Sequence, residues 1–123
     1  MSTYKYFSDD EVVGLVPSFV KKLDKARGIA GIPFTITSGK RTKKENDSVL
    51  VGAVPNSAHL KGLAVDLAVS NTKDVAKIID ACCEAGILRR GIYVDADFKP
   101  VHVHVDDDTE KVSPVIFLKR EEN

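Results

Sequence analysis

The chain has no tryptophan, one methionine and two cysteines among its 123 residues. The cysteines are adjacent, Cys82 and Cys83, which is poor geometry for a bond between them. A disulfide-stapled scaffold is therefore excluded, and both thiols read as reduced filler on a helix. No charge of one sign prevails: 18 Lys and Arg balance 18 Asp and Glu. With no basic tract either, the electrostatic basis for binding nucleic acid is missing. No apolar run approaches the ~20 residues of a membrane span, and Met1–Phe7 lacks the apolar stretch of a signal peptide. The expectation is a soluble chain made in the cytoplasm, with neither nucleic acid nor membrane as partner. Internal repeats and low-complexity segments are absent as well.

What is present suffices for one domain spanning residues 1–123. Hydrophobic residues make up 43% of the chain, enough for one modest core. Ser8-Asp9-Asp10 reads as a helix start for Glu11 to Leu15. Pro17 suits the first turn of a second helix, whose apolar stripe is Phe19, Val20, Leu23 and Ala26, with Gly28 and Gly31 ending it. Pro33 to Thr37 alternates like a half-buried strand. Thr42-Lys43-Lys44-Glu45 has the form of a capping box. Thr72 reads as the cap of a further helix carrying Val75, Ile78, Ile79 and Cys82, closed by Gly86. Gly91–Val94 and Val101–Val105 flank a turn and predict a hairpin, and Val115–Leu118 predicts an edge strand. This mixture predicts an α+β fold, a small antiparallel sheet with flanking helices.

All three histidines, His59, His102 and His104, lie in two short segments. In Val101-His102-Val103-His104-Val105-Asp106, strand alternation sends the valines to one face and His102, His104 and Asp106 to the other. In Leu63-Ala64-Val65-Asp66-Leu67-Ala68, Asp66 shares its face with two small alanines, which leave room around its carboxylate. Pairing of these strands puts Asp66 and the histidines on one face, and Gly62 permits a tight loop that brings His59 back over Asp66. Two histidines and a carboxylate are a standard catalytic zinc set, which leaves a fourth position for water. Zinc lowers the pKa of that water to about 7, a source of nucleophile in a chain that shows no other.

Ser57-x-His59-x-x-Gly62-x-Ala64-x-Asp66 resembles the motif of zinc D-Ala-D-Ala carboxypeptidases. That family includes phage endolysin peptidases and shares its fold with the hedgehog signalling domain. The second histidine segment resembles the family's closing motif, and Thr37-Ser38-Gly39-Lys40-Arg41-Thr42 resembles its Ser-Gly-Tyr-Arg segment. The likeness runs from about Ile29 to Asp106, and its compact form is most similar to peptidases of small bacteriophages. It implies His59, Asp66 and His104 as ligands of one zinc per chain. It also implies Arg41 as the arginine that contacts substrate and stabilises developing negative charge. Ser57 is left with two roles, a bond to substrate or a cap on the loop.

Two departures stand out. Lys40 replaces the common aromatic before Arg41. Val101 stands where many relatives carry the acidic general base, three residues before the last ligand. His102, two residues before it, is the expected base, with Asp95, Asp97 and Asp106 as rivals. The resemblance thus implies a zinc peptidase that cuts peptidoglycan stem peptides at or beside a D-amino acid, acting on the cell wall, and the chain is expected to be a monomer. Two other readings stay open: a non-catalytic zinc-bearing binding module of the same fold, and a wall amidase.

Overall fold

The computed structural model describes residues 3–39 and 57–121. The Thr42–Glu45 capping box therefore lies outside the described residues, as do Lys40 and Arg41.

The first long helix, α1 (Pro17–Ala30), starts with Pro17, whose missing N–H costs nothing in the first turn. Gly31 ends it in the left-handed conformation, with its N–H returned to the Arg27 carbonyl. Gly28, expected to end the helix, lies within it. Its missing side chain serves packing: a Cβ there would sit 2.9 Å from the Tyr6 ring. The second helix, α2 (Thr72–Ala85), is capped by Asn71 rather than Thr72, for the Asn71 side chain accepts the Asp74 N–H at 2.8 Å. Gly86 closes it as expected. The predicted start at Ser8–Asp10 yields only a short 3-10 turn, Asp10–Val12. There Ser8 and Glu11 bond reciprocally.

Five strands form one sheet: β1 (Ile36–Ser38), β2 (Ala64–Ala68), β3 (Arg89–Val94), β4 (Pro100–Asp106) and β5 (Val115–Arg120). Their spatial order is β1-β2-β4-β3-β5. The fold is α+β, and β1 to β4 pair antiparallel as predicted, with β3 and β4 forming the expected hairpin. β1 is shorter than its sequence pattern. It enters the sheet only at Ile36, although the Thr35 carbonyl still accepts the Ala68 N–H. β5 is an edge strand but runs parallel to β3, so the sheet is mixed. The hairpin explains why. β4 ends at Asp106, opposite Arg89 at the start of β3. A chain returning from there to the free side of β3 meets the beginning of that strand first and follows it in the same direction.

Both helices cover one face of the sheet. Phe19, Val20, Leu23 and Ala26 of α1 and Val75, Ile78, Ile79 and Cys82 of α2 pack with Val65 and Leu67 of β2 and Val103 and Val105 of β4. Each Val, Leu, Ile or Phe side chain among them contributes about 1.5–3 kcal/mol when fully removed from water. The opposite face carries the polar residues of β2 and β4. Burial pushes the Cys82 thiol up to about 12, against the partial opposition of the nearby Arg90 guanidinium, which keeps it an inert core group. Among the described residues no helix is long and apolar enough to cross a membrane.

Candidate metal centre

The pairing of β2 with β4 sets Asp66 opposite His104 and Ala68 opposite His102. Strand alternation then places all three polar side chains on the face away from the helices. Ala64 and Ala68 flank Asp66 on that face and leave its carboxylate clear. His59 comes from a different element, the 3-10 turn Ala58–Lys61 that precedes β2. The Ser57 Oγ caps this turn by accepting the His59 N–H at 3.2 Å. Ser57 is buried, so of its two expected roles the geometry displays the cap. Gly62 ends the turn at φ +71, where a Cβ would collide with the Gly14 carbonyl oxygen. Only glycine reverses the chain there without strain, and that reversal carries His59 back over Asp66, Nε2 to Oδ1 at 3.4 Å.

One donor atom each from His59, Asp66 and His104 lie within 4.8 Å of one another. The second nitrogen of each histidine is committed elsewhere. His59 Nδ1 lies 2.7 Å from the Gly39 carbonyl oxygen, which can only accept, so Nδ1 donates there and Nε2 is the ring nitrogen left facing Asp66. His104 Nε2 lies 2.7 Å from Asp106 Oδ2, and its Nδ1 lies 3.0 Å from Asp66 Oδ1. Metal-ligating histidines characteristically give their other N–H to a carbonyl or carboxylate, which fixes tautomer and ring orientation. Both histidines here are held in that way. The donor set that results is His59 Nε2, Asp66 Oδ1 and His104 Nδ1, two imidazole nitrogens and one carboxylate oxygen. This is the composition of an open catalytic zinc site, and the residues present fit the metal.

The electrostatics agree. Burial would raise the Asp66 pKa, but hydrogen bonds and charge from His104 and His59 outweigh it and hold the carboxyl far below the usual range. Burial would lower His104, but bonds to Asp106 and Asp66 outweigh it and raise the imidazole above its ordinary value. In the metal-free chain a protonated His104 thus donates to both carboxylates. Asp106 is itself buried and spoken for. Its Oδ1 accepts from Arg89 Nε at 2.8 Å and from the Asp108 N–H at 3.1 Å, while Oδ2 faces His104.

A family model for Peptidase M15 matches residues 5–106. The chain belongs to the Peptidase M15 family. No curated protein matches it significantly. M15 peptidases are metal-dependent, and the cluster of His59, Asp66 and His104 is the set of described residues able to hold the ion. Membership also agrees with the α+β fold and with the resemblance carried by the two histidine segments.

The M15 chain places the remaining predicted residues as follows. His102 stands beside the cluster, its Nε2 3.9 Å from Asp66 Oδ1 and its ring stacked on Tyr93 at 4.3 Å between centroids. Its Nδ1 is 3.6 Å from Glu121 Oε1. Burial lowers its pKa, only partly offset by the charges of Asp66 and Glu121. Asp95 turns the hairpin: its Oδ1 accepts the N–H groups of Asp97 and Lys99. Asp97 lies exposed in that same turn. Arg41 lies outside the described residues. Sequence reasoning passed over Gly39 as a hydrogen-bond acceptor, because a backbone carbonyl leaves no mark in side-chain patterns. It treated Asp106 as a possible base, where the structure shows it bound to His104. It also passed over Tyr93 and Phe117, whose period-two patterns read simply as strand.

Proposed function

We infer that the chain is a zinc-dependent peptidase acting on the peptide stems of bacterial peptidoglycan, at or next to a D-amino acid. One observation carries the reading: three ligand atoms converge, and the histidines among them are each pinned by a partner on the opposite ring nitrogen. A merely polar strand face has no need of that pinning. Zinc suits two imidazoles and a carboxylate better than the oxygen-seeking Mg²⁺ or Ca²⁺. When bound, it supplies Lewis acidity to the scissile carbonyl and acidity to water.

The chain's own residues do the rest. His102, neutral at physiological pH because burial lowers its pKa, accepts a proton from the attacking water on Nε2, the atom that faces Asp66. It then returns that proton to the leaving amine. Arg41 holds the developing oxyanion or a substrate carboxylate, a contribution of about 2.7–4 kcal/mol for a donor of this kind.

Digestion of purified muropeptides by zinc-loaded protein, read by mass spectrometry, tests this. Release of D-alanine or opening of a peptide cross-link is the expected product. Cleavage between muramic acid and the stem would make the protein an amidase. No product at full metal occupancy would leave a non-catalytic zinc-bearing module.

A further inference from the structure

The segment matched by the family model ends at residue 106, yet the strand after it reaches the site. β5 pairs with β3 so that Phe117 lies beside Gly91 and Lys119 beside Tyr93. Gly91 and Tyr93 in turn lie opposite His104 and His102 on β4. Ser38, Asp66, His104, Gly91 and Phe117 therefore form one row across all five strands. Gly91 matters here because it has no side chain. A Cβ at that position would overlap the Phe117 ring, which instead leans across the gap to 6.0 Å from the His104 ring and meets Tyr93 edge-on at 6.1 Å. Lys119 Nζ stands 5.8 Å above the Tyr93 ring, and among the described residues it makes no ion pair with a carboxylate. Ile116 and Leu118, on the alternate positions, are more than half exposed. β5 thus sends an aromatic ring and an ammonium toward the ligand face.

We propose that β5 is the specificity edge of the metal site: the Phe117 ring receives the apolar part of the substrate residue beside the cut, and Lys119 Nζ pairs with a carboxylate on that substrate. The proposal rests on the peptidase reading and assigns two side chains of β5, Phe117 and Lys119, to recognition of that substrate. An aromatic face against His104 suits a methyl or methylene group, whose contact with it is removed from water. An ammonium ~10 Å away across two strand spacings suits a charge at the end of a short peptide.

The test uses the full zinc-loaded chain and a synthetic stem pentapeptide ending in D-Ala-D-Ala, as the free acid and as the C-terminal amide. Turnover and binding by calorimetry are both measured. The wild type is expected to bind the acid at least about tenfold more tightly than the amide, and Lys119→Ala to abolish that preference. Phe117→Ala is expected to raise KM about tenfold for both peptides with kcat changed less than about threefold, and Phe117→Leu to restore most of the loss. Zinc content stays at the wild-type level in each variant. Leu118→Ala, on the other face of β5, should leave KM unchanged, which separates substrate recognition by β5 from a mere loosening of the strand. An acid preference that survives Lys119→Ala, or an unchanged KM and affinity in Phe117→Ala, overturns the proposal. If the wild type binds the acid without cleaving it, the peptidase reading falls while the specificity edge is judged on the binding data alone. If it binds neither peptide, the specificity edge falls too.

Discussion

Asp106 shows how one side chain decides what its neighbour does. Its carboxylate fixes the His104 ring by taking Nε2–H, and Arg89 and the Asp108 N–H fix the carboxylate. Asp106→Ala should therefore weaken zinc binding about 10–100-fold, the usual effect of losing such an orienting partner, measured by competition with a chromophoric chelator. An unchanged affinity would mean that His104 needs no help. The same contacts set the pH dependence. The raised His104 pKa makes the imidazolium a stabilising group in the metal-free chain. That stability is fully present below the ordinary histidine value of ~6.5 and is lost as pH rises through the raised value. Zinc requires the opposite state, Nδ1 without its proton. Affinity should be pH-independent above the raised value and fall about tenfold per pH unit below it, with one proton released on binding. His102 is distinguished by the reverse shift. His102→Ala should retain zinc and lose roughly 10²–10⁴ in kcat. A variant that keeps its turnover would move the proton transfer to another group.

At the scale of elements, two short strands and one turn make the site. The valines of β4 bury its helix-facing side, and this forces His102, His104 and Asp106 to share the other. That inference needs only alternation, which is why the histidine face is legible in the sequence alone. Gly62 is legible for the same kind of reason, since a glycine between a histidine and a strand signals a reversal. Gly62→Ala adds a Cβ against the Gly14 carbonyl at φ +71. It should cost about 1–3 kcal/mol of stability and lower zinc affinity as well, because His59 rides on that turn. Thermal melts and metal titration check both, and a variant of native stability would contradict the collision. Elements whose placement depends on partners are less legible. The parallel direction of β5 follows from where β4 ends, and that is a fact of pairing register rather than of local pattern. Gly28 reads as a stop because its spacing fits one; the Tyr6 ring that requires it comes from a distant part of the chain. Asn71 and Thr72 are both good caps, and only the hydrogen bond to the Asp74 N–H separates them.

The whole molecule divides into an apolar half, helices against one face of the sheet, and a polar half that carries the ligands on the other. His59 on a turn and Asp66 and His104 on two strands would hold the metal, so its binding would link these elements. Zinc binding should therefore stabilise the entire fold by mass action, about 2.7 kcal/mol at a hundredfold excess over Kd. A chelator should reverse the gain in Tm, and the gain should shrink in acid as His104 regains its proton. The ion pairs of Lys61 with Asp108 and Glu110 and of Lys22 with Asp107 tie the chain after β4 to the elements before β2. These surface and half-buried pairs contribute modestly, so the metal is expected to be the larger single stabiliser of the ligand face. The central claim is the identity of the ligand set. Its most direct test is elemental analysis of the wild type and of His59→Ala, Asp66→Ala, His104→Ala and His102→Ala, purified side by side at neutral pH. The account predicts about one zinc per chain in the wild type and in His102→Ala, and loss of most of it in the other three. Full zinc content in His104→Ala together with its loss in His102→Ala would contradict the account.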